Sequence, residues 1–340
     1  MKPPKRERIL VIQLRQLGDI LLTTPILREL KKAKPEAEVT FLSHVMGRLV
    51  VDGNPYMDRH LTYSDTMSWR EELSLIQRIR SFKFDYVLDF MFNPKSCLYV
   101  SLSGAKKKVS FESSRSVFFD KVVPRGGGAY IVDEKFRMLR AIGISPTSIS
   151  LDLPWDEHHI APTQQLLKVD SFAQSKLRVA MSATHRRDHR RWPLGSFSEL
   201  AVRLIQHWGA EIVWLWGPGE ESLCDDAIGM TPLPTLKAPK TSFKELAALI
   251  SNCDLFIGSS NGPSHLAVAA DIVSLQIHGP TLASSWCPMT SKHHAIQSHD
   301  GTIHGLTTDE VWSELERMKD FIFNESDARK KVGIKTNWKA

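Results

Sequence analysis

The stretch ILVIQLRQLGDILLTTPILREL, residues 9–30, begins as an apolar, β-branched run and then changes period. Ile9–Leu14 reads as a buried strand. From Asp19 to Ala33, Ile20, Leu21, Thr24, Leu27 and Leu30 recur at helical spacing. Strand, turn and amphipathic helix form the opening unit of an α/β fold with a parallel sheet. The turn Arg15-Gln16-Leu17-Gly18-Asp19 adds nothing to the helix's core face. Gly18 permits a tight turn with close backbone approach. Asp19 either complements the helix dipole or presents a base to a crevice.

The same alternation continues outward. In the first half, strands are predicted near Val39–Ser43, Tyr86–Phe90 and Lys108–Phe111, with helices near Trp69–Arg80 and Glu134–Ile142. The proline-rich, polar stretch SPTSISLDLPWDEHHIAPTQ follows. A second series then restarts, with strands at Leu177–Ser182, Glu211–Trp216, Asp254–Gly258 and Ile272–Ile277. Its helices are predicted at Ser196–Trp208, Ser242–Ile250 and Pro263–Ala270. A chain of 340 residues also exceeds what one core usually organises. The expected division is residues 1–155, a linker at 156–175, a second domain at 176–324 and a basic tail at 325–340. Two consecutive units of this kind place a ligand cleft at the C-terminal ends of the strands.

Bulk chemistry narrows the partners. A formal charge of +6 favours an anionic one: phosphate, nucleic acid or an acidic lipid surface. No RNP, KH or helix-turn-helix pattern supports nucleic acid. Cys97, Cys224, Cys253 and Cys287 lie far apart without a C-x-x-C pair, which suits a reducing cytosol and gives no zinc ribbon or disulfide scaffold. The opening MKPPKRER is basic, yet no apolar signal segment follows. No run approaches the roughly 18 apolar residues of a spanning helix.

Three loops leave predicted strands at the expected cleft. The first carries Arg15, Gly18 and Asp19. The second, SATHRRDHRRWPLGSF at 182–197, contains Thr184 and four arginines, Arg186, Arg187, Arg190 and Arg191. Guanidinium groups bind phosphate oxygens bidentately, although a solvated loop also explains such density. His185 and His189 have H-x-x-x-H spacing but no third ligand at a sensible distance, which argues against a metal. The third loop, FIGSSNGPSHLAVAAD at 256–271, turns through Ser260, Asn261 and Gly262 into a helix start that can bind anions. His265 sits in its first turn, where an aliphatic residue would pack more naturally. The glycine-rich WGPGEES at 216–222 offers Glu220 or Glu221 to ribose hydroxyls, or merely opens the next helix. Lys106, Lys107, Lys108 and Arg125 make the first half basic, either for an anionic acceptor or as a solvated face.

Together these pieces resemble the lipopolysaccharide heptosyltransferases, glycosyltransferase family 9, over Ile9 to about Asn324. LGD and TTPILREL resemble the family's start, R-R-W-P at 190–193 its K-x-W-P, and GPSHLAVAA with IHGPT its G-x-x-H-x-A-A and following strand-turn. The resemblance implies a GT-B fold: α/β, two Rossmann-like domains with parallel sheets facing a central cleft. It implies inverting transfer of heptose from ADP-heptose to a lipid A–core oligosaccharide at the inner-membrane surface, in the cytoplasm, with no cofactor and no metal. Asp19 would be the general base, since a carboxylate can take the acceptor's proton as the transition state makes that hydroxyl acidic. Thr184, Arg190, Glu220, Ser260, Asn261, Gly262 and His265 would bind the donor. Arg15, Gly18, Lys106, Lys107 and Arg125 would bind the acceptor. Two positions depart from the family. Arg190 replaces its usual lysine and changes the donor geometry. Ser260 replaces the acid of its Asp-Ser/Thr-Gly/Ala turn, an acid expected near the sugar. A sugar-nucleotide epimerase and a non-catalytic relative binding a nucleotide sugar or anionic glycolipid are the alternatives.

Overall fold

The computed structural model describes residues 6–169 and 177–332. It divides into two compact units, Met1–Pro154 and Trp155–Ala340. The first holds a parallel sheet of β1 (Arg8–Ile12), β2 (Glu38–His44), β3 (Arg59–Tyr63), β4 (Tyr86–Asp89), β5 (Lys107–Phe111) and β6 (Lys121–Val123). Their order is β3-β2-β1-β4-β5-β6. The second unit holds β7 (Leu177–Ser182), β8 (Ala210–Trp214), β9 (Leu236–Lys237), β10 (Leu255–Ser259), β11 (Val273–His278) and β12 (His293–Gln297). Their order, β12-β11-β10-β7-β8-β9, is the same doubly wound topology. In each sheet the chain winds outward one way, returns to the middle and winds outward the other way. The switch points lie between β1 and β4 and between β7 and β10.

Central strands are predominantly apolar because helices cover both sheet faces. Ile9, Leu10, Val11 and Ile12 of β1 are all fully buried, as are Leu255, Phe256 and Ile257 of β10. In the second unit Trp192, Phe197 and Trp214 anchor a core that also takes Leu315, Met318 and Ile322 from the C-terminal helix Thr308–Val332.

The helix expected over 19–33 is two helices, Leu17–Leu21 and Thr24–Ala33. Pro25 has no N–H to continue the ladder, and the Thr24 hydroxyl donates instead to the Leu21 carbonyl at 2.8 Å. Strands β3, β6, β9 and β12 were not expected. They are short or polar and lie toward or at the sheet edges, where one side needs no apolar cover. Of the expected linker at 156–175, the described part forms short helices at Glu157–Ile160 and Gln164–Leu167; 170–175 lies outside the described residues. Of the expected tail at 325–340, the described part continues the C-terminal helix to Val332. The Arg329 guanidinium fastens that helix by donating to the carbonyls of Ser251 at 2.7 Å and Asp271 at 3.2 Å.

Candidate functional site

In the first unit the loops after β1 and β4 flank the switch point, where doubly wound sheets take ligands. Asp19 lies in the first turn of Leu17–Leu21, and Gly18 directly precedes it. The Asp19 carboxylate accepts the Gln16 backbone N–H at Oδ2 (3.0 Å), so it does cap the helix; Oδ1 has no hydrogen-bond partner among the described residues. Arg15 pairs with Asp65 at 2.9 Å, both partly exposed. Across the switch point, buried Asp89 accepts the Met91 N–H (2.9 Å) and the Ser96 hydroxyl (2.8 Å). Its burial pushes its pKa up to about 6. This fixes the loop in which Phe92 carries a guanidinium, Arg125, 4.2 Å from its ring centroid.

Lys106 and Lys107 do not join this group. Lys107 is level with Tyr86, and Tyr86 with Ile9, so both lysines lie at the N-terminal edge of the sheet. Asp19 lies beyond the C-terminal edge. In a parallel sheet a residue just before a strand and a residue just after one are at opposite ends. Lys106 instead binds Asp85 at 2.6 Å, and Lys107 lies over the Tyr86 ring.

The sequence reading missed Lys135. On the helix Ile131–Ala141, Val132, Lys135, Phe136 and Leu139 form one buried stripe, a helical i, i+3, i+4, i+7 pattern with an ammonium in it. Lys135 Nζ donates to Thr23 Oγ1 at 2.5 Å, to the Asp19 carbonyl at 3.0 Å and to Gln13 Oε1 at 3.1 Å.

In the second unit the loops after β7, β8 and β10 converge. Asn261 caps the helix Gly262–Ala269, accepting the Ser264 N–H at 3.3 Å, while its amide donates to Ser182 Oγ and to the Thr184 carbonyl, both at 3.0 Å. The Thr184 hydroxyl donates to Glu220 Oε2 at 2.6 Å, and the Gly217 N–H donates to the same oxygen at 3.2 Å. His185 Nδ1 accepts the Arg187 N–H at 2.9 Å, leaving Nε2 to donate to the Ser260 carbonyl 3.2 Å away. Burial lowers its pKa, so the ring is neutral. No left-handed φ is recorded for Gly262, and a Cβ there would meet only Phe243, at 3.9 Å. His265 is buried beside Trp286, ring centroids 6.1 Å apart.

Arg190 lies on the same loop as His185, where its charge helps lower the His185 pKa. Two residues on, fully buried Trp192 fixes the chain: its indole N–H donates to the Leu306 carbonyl (2.9 Å) and its backbone N–H to Ser259 Oγ (3.3 Å). Arg190 Nε is buried without a hydrogen-bond partner among the described residues. Burial and the neighbouring Arg187 lower its pKa. A half-buried arginine with an unpartnered Nε, on a loop that Asn261 ties to a helix start, suits an anion. His185, Arg186, Arg191, Gly217 and Glu220 help line an adjoining pocket of about 260 Å³. Trp216, Lys237 and Pro239 help line a wider one of about 470 Å³, which the sequence reading also missed.

Among the described residues, no group of three or more His, Cys, Asp or Glu is placed to hold a metal ion, and no helix is long and apolar enough to cross a membrane.

Residues 72–311 match the model of glycosyltransferase family 9 (heptosyltransferase). The chain is 26% identical over 324 residues to lipopolysaccharide heptosyltransferase 3 of Escherichia coli (strain K12), covering 91% of this chain and 92% of that protein. Its fold is similar to a family 9 glycosyl transferase from Veillonella parvula DSM 2008, with TM-score 0.80, 19% identity and coverage of 94% and 97%. It is also similar to the E. coli heptosyltransferase WaaC with ADP, with TM-score 0.70, 18% identity and coverage of 93% and 99%. Both are likenesses of fold, and the doubly wound α/β topology of the two units agrees with them. With a family model matching well over half its length, the chain belongs to glycosyltransferase family 9, the heptosyltransferases.

Proposed function

We propose that this protein transfers heptose from ADP-heptose, with inversion, to a lipopolysaccharide inner-core acceptor, working in the cytoplasm at the inner-membrane surface. The observation that carries the donor side is Arg190, a half-buried arginine whose Nε has no hydrogen-bond partner among the described residues, on the β7 loop that Asn261 ties to a helix start. A nucleoside diphosphate supplies that partner. The solved relative WaaC carries ADP, which suits this reading.

Arg190 and the N–H groups at Asn261–Gly262 take the diphosphate, whose charge grows as the sugar bond breaks. Thr184 and Glu220 form a polar wall beside it, with Glu220 placed to accept ribose hydroxyls. The pocket beside Trp216 offers an aromatic wall to the base. Ser260 and His265 lie toward the sugar. On the acceptor side, Arg15, Gly18 and Arg125 bind the acceptor whose hydroxyl Asp19 deprotonates. The acceptor hydroxyl oxygen attacks the anomeric carbon, the bond from that carbon to the phosphate oxygen breaks, ADP leaves, and Asp19 receives the hydroxyl proton.

A ligand of the folded state raises apparent stability. In thermal-shift titrations ADP and ADP-heptose should raise Tm, while UDP, GDP and NAD should not. Stabilisation by UDP or GDP equal to that by ADP would refute the donor assignment.

A further inference from the structure

Lys135 is buried, yet its three hydrogen bonds go to neutral oxygens on the segment that carries Asp19. They grip that segment at its start (Gln13), at Asp19 itself and at its end (Thr23). Gln13 passes the restraint on, its amide donating to the Arg15 carbonyl at 2.8 Å. The Thr23 hydroxyl in turn donates to the Asp19 carbonyl at 2.7 Å. Below, the ammonium lies 5.7 Å from the centroid of the Phe90 ring, on the loop across the switch point.

A buried ammonium without a bonded carboxylate is costly unless it acts on a charge nearby. The field of Asp19 favours the charged form of Lys135. Burial pushes its pKa down to about 8, with Asp19 partly offsetting the fall, so the ammonium persists at neutral pH. Arg28 and Glu29, on the helix packed alongside, bind each other and Lys135 is not among their partners.

We propose that Lys135 is a positioning residue: it holds the Gln13–Thr23 segment so that the Asp19 carboxylate faces the acceptor hydroxyl, and it supplies the fixed positive charge behind that carboxylate. This rests on Asp19 being the base. Lys135 touches no substrate and acts only through Asp19.

The test is steady-state kinetics on Lys135→Met, Asp19→Asn and the double variant, with ADP binding and circular dichroism confirming a folded chain. Lys135→Met should lower kcat at least 30-fold while KM for donor and acceptor stays within threefold. In the Asp19→Asn background the same change should lower the residual kcat by less than threefold, because the group it acts through is gone. If Lys135→Met does not fold, Lys135→Gln is read against the same limits. A kcat within threefold of wild type, or equal losses in both backgrounds, would overturn the proposal. Wild-type turnover by Asp19→Asn alone is a separate result: it removes the base reading on which the proposal stands.

Discussion

The Asn261 side-chain amide donates to the Thr184 carbonyl at 3.0 Å and so ties together the loops on either side of the second unit's switch point. One side chain caps the helix Gly262–Ala269 and also sets its distance from the β7 loop. Asn261→Ala should cost about 1 kcal/mol for the cap and about 1 kcal/mol more for the lost bridging bonds. Chemical denaturation measures the sum of these two losses. ADP affinity should fall about tenfold, and unchanged affinity would separate the bridge from the anion site.

Arg190→Ala should weaken ADP far more than adenosine, because only ADP carries the diphosphate. A lost charge-assisted contact of about 1.5–3 kcal/mol corresponds to roughly a 10- to 150-fold rise in Kd. Arg190→Lys should recover part of the loss as a point charge without the bidentate fork. Calorimetry with both ligands checks this, and equal losses for the two would contradict it. Transfer should survive EDTA, and dependence on added Mg²⁺ would contradict a diphosphate site built from Arg190 and backbone N–H groups alone.

Acid should weaken the second unit through two histidines. Burial holds the His278 and His293 pKa values down at about 4, against an ordinary 6.5. Between those pH values the unfolded chain takes up protons that the folded chain refuses, so stability present above pH 6.5 is lost as pH falls toward 4. Each histidine contributes a slope of up to about 1.4 kcal/mol per pH unit. His278→Gln should flatten urea-denaturation stability across this window, and an unchanged slope would rule His278 out as a contributor.

How much of this was legible in the sequence follows from what each signal depends on. The central strands were readable because both faces are covered, so β1 and β10 are continuous apolar runs. Strands such as β3 (RHLTY) and β12 (HHAIQ) were not, since an edge strand keeps polar residues without cost. The break before Thr24 was marked by Pro25, which helical periodicity alone passes over. The loop stood out because four arginines crowd it, and Arg190 among them through the resemblance of R-R-W-P to the family's K-x-W-P. Lys106 and Lys107 misled because charge density carries no direction: only strand polarity shows that they lie at the wrong edge. Lys135 was hidden by the ordinary rule that lysines face water, although its position on the apolar stripe marked it.

The resemblance implies an acid where this chain has Ser260, whose carbonyl is held by His185. Its hydroxyl can give the sugar a neutral hydrogen bond where a carboxylate would give a charge-assisted one, weaker by about 1 kcal/mol or more. ADP-heptose should therefore bind only slightly more tightly than ADP, and Ser260→Asp should widen that gap. A wild-type protein that strongly prefers ADP-heptose and loses the preference on Ser260→Asp would show Ser260 to be a specific sugar contact.

The proposed activity is tested most directly by incubating wild type and Asp19→Asn with ADP-heptose and a lipid A–core acceptor, then weighing the acceptor by mass spectrometry. Wild type should add one heptose and release ADP, while Asp19→Asn should bind ADP normally and leave the acceptor unchanged. Transfer by Asp19→Asn at the wild-type rate would reduce Asp19 to a helix cap, and a wild-type protein that leaves the acceptor unmodified with ADP-heptose would contradict the proposed reaction itself.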